Sequence, residues 1–211
     1  MDKLDKIVAR LEEITKRLEI VEQKLSGKTG EVKPTTTTRR GPDPVGGWNE
    51  QIGEPLNKLM ELSKKLGGEV QEIATIFKEG IDAELELVKK AQTMNKPSME
   101  QLQPLLTPIS EKIMKSGQYK DSHRRNSKFL DYIMAVSEGM GILGWVAVEP
   151  APAPFAEDMS NGGIFYGNKI MMANKNKNQD NYDWGLAVNS VYKAFVPYIK
   201  QYHTTGLSWK K

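Results

Sequence analysis

The chain has 211 residues, of which 27% are charged, a formal net charge of +3 and no cysteine. This length accommodates one well-buried domain with an appendage, and the near balance of charge does not require a strongly acidic or basic partner. The lack of cysteine excludes disulfides and thiolate metal sites. Charges recur throughout the first residues, so we expect no signal peptide and a cytoplasmic protein.

The first segment carries a heptad repeat. Its a positions are leucine and its d positions are isoleucine or valine, at Leu4, Leu11, Leu18, Leu25 and at Ile7, Ile14, Val21. The repeat predicts a coiled coil over residues 1–25. Leucine at a with β-branched residues at d disfavours two strands, so we expect an oligomer larger than a dimer. The alternative is a single helix that docks on the rest of the chain.

Residues 26–47 differ sharply in composition. They are rich in glycine, proline, threonine and charge, and they have no apolar period. This composition predicts a flexible linker with stiffer points at its prolines. The pair Arg39–Arg40 lies within it, and we interpret the pair as solvated because basic recognition segments are usually longer.

From Trp48 a helical period returns and predicts a folded domain over residues 48–211. The apolar faces of six helices follow one another: Leu56–Leu66, Val70–Val88, Leu102–Ile113, Phe129–Val136, Phe155–Asn174 and Trp184–Ile199. Strand alternation is not sustained anywhere. The pattern therefore predicts an all-α fold, an antiparallel bundle of about six helices preceded by the oligomerising coiled coil.

Several helix boundaries are also predicted. Ser98 with Gln101 has the form of a capping box. The polar stretch from Ser116 to Asn126 predicts a break between two helices. Asp180 is the expected cap of the sixth helix, and Pro197 is expected to bend that helix or end it early.

No motif indicates catalysis. Gly139–Gly144 matches the pattern G-x-G-x-x-G, but it follows a predicted helix rather than a strand, which favours a helix end with left-handed glycines over a dinucleotide site. His123 and His203 are the only histidines, and we interpret them as surface or helix-end residues. The tryptophans Trp145, Trp184 and Trp209 are expected to anchor the core. We predict no enzyme activity, no cofactor and no metal.

One segment of the predicted folded domain is enriched in basic residues. Six basic residues and one acidic residue, Asp121, lie within a short segment, whereas residues 48–211 together carry only +1. The basic residues are Lys112, Lys115, Lys120, Arg124, Arg125 and Lys128. This local charge suits an acidic protein surface or a phosphoinositide headgroup, and a solvated loop is an equal alternative. Aromatic residues do not interleave with the basic ones, so nucleic acid is not expected as a partner.

Motifs at both ends of the chain resemble one family. The triplet Arg10-Leu11-Glu12 recurs one heptad later as Arg17-Leu18-Glu19, and the chain closes on the heptapeptide His203–Trp209, of sequence HTTGLSW. Between them come Ser127-Lys128, then AVSE at residues 135–138 and LGWVA at residues 143–147. Together these segments are similar to the N-terminal part of the adenylyl cyclase-associated protein family.

The resemblance implies a function. Members of that family recycle actin: their N-terminal half acts with cofilin to speed filament disassembly at pointed ends, and the coiled coil clusters several such domains. In some members the RLE segment binds adenylyl cyclase, which would assign cyclase binding and oligomerisation to Arg10, Leu11, Glu12, Arg17, Leu18 and Glu19. We hypothesise that actin or cofilin-bound actin is contacted by Lys120, Arg124, Arg125 and Lys128.

Further expectations follow from the same resemblance. We expect the protein at the cortical actin cytoskeleton, with actin, cofilin and adenylyl cyclase as partners. The family's C-terminal half, which binds actin monomers and promotes nucleotide exchange, is not expected within these residues. The alternative function is a signalling adaptor that links adenylyl cyclase to anionic lipid surfaces without actin activity, and a purely structural oligomeric scaffold is the third.

Overall fold

The computed structural model describes residues 43–210, which form an all-α bundle without a strand. In chain order the elements are α1 Pro44–Trp48, a π-helical turn Asn49–Gly53, α2 Glu54–Leu66, α3 Gly68–Ala91, α4 Met99–His123, α5 Leu130–Ser137, a 3-10 helix Met140–Ala147, α6 Pro152–Asn174 and α7 Gln179–Tyr202. Six of these α-helices, α2 to α7, have eight residues or more. The predicted helical bundle is thereby confirmed, and the predicted coiled coil over residues 1–25 lies outside the described residues.

The bundle begins earlier than the predicted boundary at Trp48. The carboxylate of Asp43 accepts hydrogen bonds from the backbone N–H groups of Val45 and Gly46, at 3.1 and 3.0 Å, and so caps α1. Pro44 occupies the first helical position, where its missing N–H is not needed. Residues 43–47, which were predicted to be linker, therefore belong to the folded part.

Helix α7 holds the core together. It packs along α6 and against α2, while α3 packs on α2 and α4. The indole N–H of Trp184 donates to the hydroxyl of Ser63 at 2.8 Å, and the Tyr192 hydroxyl donates to the carbonyl of Ala135 at 2.8 Å. All four residues are buried, so these two hydrogen bonds give the Trp184 indole and the Tyr192 hydroxyl the partners that buried polar groups require.

Helix α4 is longer than predicted, because it continues through the expected polar break to His123. Two of its late residues are fixed by other helices. The Ser116 carbonyl accepts a hydrogen bond from Ser137 at 3.0 Å, and the Tyr119 hydroxyl donates to Glu72 at 2.8 Å. These contacts favour the helical backbone over the loop that the polar composition indicated.

Helix α7 departs from the prediction at its start, and it does not end early at Pro197. Its cap is Asn178, whose side-chain oxygen accepts from the N–H of Asn181 at 3.2 Å, and not Asp180. Pro197 lies inside the helix, which continues to Tyr202. Buried neighbours on either side of the proline, including Tyr198, hold this last turn in place. The predicted capping box of Ser98 and Gln101 at α4 is confirmed.

The glycine pattern at 139–144 has a packing role instead of a conformational one. Gly139 has a φ of −102°, so the predicted left-handed conformation is wrong at this position. A Cβ atom at Gly139 would lie 2.4 Å from the ring of Tyr192. The glycine therefore makes room for a buried aromatic side chain.

The C-terminal heptapeptide folds back on the bundle, as predicted. Gly206 has a φ of +133°, which reverses the chain, and Leu207 beyond it is buried. The backbone N–H of Lys210 donates to the carbonyl of Ala91 at 2.8 Å, which fastens the chain end to the end of α3. His203 is the capping residue of α7 and is fully buried.

Candidate functional site

The predicted basic segment divides into a paired and an unpaired part. On α4, Lys112 and Lys115 lie 2.7 and 3.5 Å from the carboxylate of Glu79 on α3. The hydrogen bond from Lys112 is the main reason why the pKa of Glu79 lies below its ordinary value. Lys120 lies 3.0 Å from the carboxylate of Glu138, at the end of α5. The local charge of this segment is therefore partly neutralised by acidic residues that the tertiary structure brings from other helices.

The remaining three cations, Arg124, Arg125 and Lys128, lie in the loop between α4 and α5, and we call this loop, residues 124–129, the basic loop. All three are exposed, and no carboxylate within residues 43–210 lies within 4 Å of them. The ammonium of Lys128 stands 5.1 Å from the centroid of the Phe129 ring. These charges are available to a partner in a way that the three on α4 are not.

The backbone of the basic loop is anchored at both ends. The N–H groups of Asn126 and Ser127 donate to the carbonyl of His123, at 3.2 and 3.1 Å. The Ser127 hydroxyl donates to the carboxylate of Glu69 on α3 and accepts from the N–H of Phe129 at 2.9 Å. The loop is thus a defined surface feature that presents its cations from a fixed base.

An aromatic pair supports the α4 side of the loop. The rings of Tyr119 and His123 stack with 4.1 Å between their centroids, and the His123 Nδ1 atom lies 2.8 Å from the Tyr119 carbonyl. Burial and the neighbouring Glu72 carboxylate raise the pKa of Tyr119 above its ordinary value. The phenol therefore remains a hydrogen-bond donor, and nothing in this arrangement activates it for proton transfer.

The four residues that the sequence selected for actin binding are therefore not equivalent. Arg124, Arg125 and Lys128 share one exposed loop, whereas Lys120 is half-buried and pairs with Glu138. The sequence did not indicate that Glu79 and Glu138 pair with lysines on α4, because both glutamates lie outside the basic segment. The predicted cyclase-binding residues Arg10, Leu11, Glu12, Arg17, Leu18 and Glu19 lie outside the described residues.

The bundle also buries two ionisable residues, Glu84 and His203. Glu84 on α3 is fully buried, its carboxyl oxygens have no hydrogen-bond partner within the described part of the chain, and burial raises its pKa well above the ordinary value. His203 is fully buried, and burial lowers its pKa to about 4. Neither group is accessible to a substrate, so both act on stability rather than chemistry.

The described residues contain no group of three or more histidine, aspartate or glutamate side chains that could hold a metal ion. Within residues 43–210, no helix is both long and apolar enough to cross a bilayer.

Comparison with known proteins identifies the bundle. A family model described as "CAP, N-terminal domain" matches residues 48–207, nearly the whole bundle. The chain belongs to the CAP N-terminal domain family. The resemblance seen in its motifs is confirmed.

Relatives extend the match to the first residues of the chain. The adenylyl cyclase-associated protein of Dictyostelium discoideum is 36% identical over 208 residues, which cover 96% of this chain and 45% of that protein. Human adenylyl cyclase-associated protein 1 is 32% identical over 211 residues, which cover 100% of this chain and 44% of that protein. The chain therefore spans less than half the length of these curated relatives.

Solved structures support the same fold. A crystal structure of the N-terminal domain of CAP, described as indicating variable oligomerisation, superposes with a TM-score of 0.76 at 36% identity and covers 86% of this chain and 94% of that one. The N-terminal domain of the Dictyostelium discoideum protein gives a TM-score of 0.75 at 38% identity, with 79% and 94% covered. The helical bundle of this chain is thus a CAP-type N-terminal domain.

Proposed function

We propose that this chain regulates actin dynamics by promoting cofilin-dependent filament disassembly and the recycling of monomers. The observation that carries the proposal is the CAP N-terminal domain match over residues 48–207. Within that domain the basic loop supplies an exposed, unpaired surface of one charge sign. Such a surface suits an acidic protein partner, because complementary charge increases the rate of encounter.

The proposal includes a non-catalytic role towards adenylyl cyclase. The relatives are named as proteins associated with the cyclase. We assign cyclase binding and oligomerisation to the predicted coiled coil over residues 1–25, where the two RLE triplets lie on one heptad repeat. Oligomerisation would place several bundles close to one filament and increase their combined affinity.

A double substitution of the basic loop tests the actin role. Arg124→Ala with Arg125→Ala removes two exposed cations without touching the core, so the melting temperature should change little. Lys175→Ala with Lys177→Ala is the matched control, since both lysines are exposed and the change in charge is the same. Each pair is tested in the full chain and in a fragment of residues 43–211, which keeps the Asp43 cap of α1 and removes avidity.

The assay follows filament disassembly in the presence of cofilin at low and high salt. At low salt the arginine variant of the fragment should be slower than its parent by about threefold to tenfold at subsaturating concentration, because rim charges act mainly on encounter rate. The lysine control should match the parent, and raising the salt should bring the parent towards the arginine variant. Equal rates for parent and arginine variant at low salt would place the actin contact elsewhere on the bundle.

The same three cations favour a second candidate, an adaptor that links adenylyl cyclase to anionic lipid surfaces. Each basic residue near such a surface contributes about 1 kcal/mol. Sedimentation with vesicles of anionic lipid and with neutral vesicles separates the candidates. Binding to anionic vesicles that falls with the arginine variant, in a chain without effect on filaments, would favour the adaptor.

A further inference from the structure

The basic loop contains a second feature, the sequence Arg124-Arg125-Asn126-Ser127, and the pattern Arg-Arg-x-Ser occurs once in the chain. We propose that Ser127 is a phosphorylation site for an arginine-directed serine/threonine protein kinase. Kinases of this class select substrates through carboxylates that bind arginines two and three residues before the serine. Guanidinium groups suit such pairing because they donate two parallel hydrogen bonds to one carboxylate.

The loop presents this sequence in an accessible place. Arg124, Arg125 and Asn126 are exposed, and the arginines are not paired with carboxylates of residues 43–210. Ser127 is half-buried and is held by two side-chain hydrogen bonds, to Glu69 and from the Phe129 N–H. Lifting it into a kinase active site requires opening of one surface loop between α4 and α5, and such local opening costs far less than global unfolding.

The transfer itself follows ordinary phosphoryl chemistry. The Ser127 Oγ atom attacks the γ-phosphorus of MgATP, the bond from that phosphorus to the β–γ bridging oxygen breaks, and ADP leaves. The hydroxyl proton passes to the catalytic aspartate of the kinase and then to solvent. The new Oγ–P bond replaces the O–H group that had donated to Glu69.

Phosphorylation would weaken the positive charge of the basic loop. A phosphoserine carries about −1.5 to −2 at neutral pH, so the charge of the loop would fall from +3 to about +1 to +1.5. The phosphate cannot donate to the Glu69 carboxylate and is repelled by it, whereas Arg124 and Arg125 lie three and two residues away along the chain. We therefore expect the phosphate to move away from Glu69 on α3 and to pair with the guanidinium groups of Arg124 and Arg125. This consequence rests on the proposed function, in which those arginines meet actin.

The first test does not depend on actin. The full chain is incubated with MgATP and the catalytic subunit of cAMP-dependent protein kinase, and the sites are mapped by mass spectrometry. We expect one phosphate at Ser127, absent in Ser127→Ala and strongly reduced in the Arg124→Ala, Arg125→Ala variant. The Lys175→Ala, Lys177→Ala control should be modified like the parent.

A peptide of residues 121–132 is the accessible reference. If the peptide is phosphorylated and Ser127 of the folded chain is not, the fold shields the serine and the proposal is wrong. If neither is phosphorylated, the motif is not a substrate and the proposal is equally wrong.

The second test measures the consequence in the disassembly assay. Phosphorylated chain should be several-fold slower than unmodified chain, and Ser127→Asp should move in the same direction. Ser127→Ala loses the Glu69 contact without adding charge, so it measures the effect of losing that contact alone, and the phosphorylated chain should be slower than this variant as well. If the unmodified chain does not accelerate disassembly, the proposed function fails while the phosphorylation result stands on its own. If unmodified and phosphorylated chains act equally, the regulatory consequence is wrong.

Discussion

His203 should make the stability of the bundle depend on pH in a calculable way. The backbone N–H of Ser208 donates to His203 Nδ1 at 3.1 Å, so Nδ1 is an acceptor and the neutral ring carries its proton on Nε2. That N–H faces the Tyr198 hydroxyl at 3.0 Å, and the hydroxyl donates to the carbonyl of Pro44 at 3.0 Å. This chain of hydrogen bonds joins α1 to the C-terminal heptapeptide, and protonation of Nδ1 would break it.

The magnitude follows from the pKa. Burial lowers the pKa of His203 from 6.5 to about 4. Each pKa unit corresponds to about 1.4 kcal/mol, so full protonation costs about 3 kcal/mol of unfolding free energy. Because the folded pKa is the lower one, this stability is fully present above pH 6.5 and is lost as the pH falls towards 4. About 2 kcal/mol should be lost between pH 7.5 and pH 5.

The comparison uses His203→Asn, whose side-chain oxygen can still accept from Ser208 but does not titrate. Unfolding in urea is followed by tryptophan fluorescence, which reports on the bundle because all four tryptophans lie at residue 48 or beyond. At pH 7.5 the wild-type chain should be the more stable, and by pH 5 its advantage should shrink by about 2 kcal/mol. Every other titrating group is common to both chains and cancels in the difference.

A constant difference between the two chains from pH 7.5 to pH 5 would refute this reasoning. It would mean that His203 titrates alike in the folded and unfolded states, either because the ring is hydrated or because protonation is accommodated by a rearrangement of the heptapeptide.

The remaining predictions concern the buried carboxyl, the packing of glycine and the assembly of the chain. As the pH rises above 4.5, the ordinary pKa of a glutamate side chain, Glu84→Gln should gain stability relative to the wild type in urea unfolding, because burial raises the pKa of Glu84 in the folded state and ionisation then favours the unfolded state. Gly139→Ala should lower the unfolding free energy by about 1–3 kcal/mol through its clash with Tyr192, whereas Gly117→Ala, in α4 with no atom near the added Cβ, should raise it by about 0.5–1 kcal/mol. Light scattering of the full chain should give more than twice the 23.7 kDa chain mass, and deletion of residues 1–42 should reduce it; a monomeric full chain would contradict the heptad interpretation.

Features set by neighbours along the chain were predictable from the sequence. The all-α class followed from helical periods from Trp48 onward, and the start of α4 followed from the capping box of Ser98 and Gln101. The reversal of the chain direction at Gly206 was predictable in the same way, because it depends on a glycine at that position. In each case the determining residues lie within a few positions of the feature, so the periodicity and the hydrogen-bond chemistry of a short segment contain the answer.

Features set by distant residues were decided by the tertiary structure alone. Helix α4 passes through its polar stretch because the Tyr119 hydroxyl donates to Glu72 on α3. Glu79 and Glu138 pair with the lysines on α4, so that, among residues 43–210, the loop cations of the basic segment are the ones left without a carboxylate partner. The burial of His203 likewise depends on a distant residue, because the ring of Trp145 packs against it with 5.0 Å between the ring centroids. The sequence alone shows how many charged residues a segment has, but not which of them remain in water. Packing brings opposite charges from other helices within hydrogen-bond distance of some ionisable groups, and it buries others away from water.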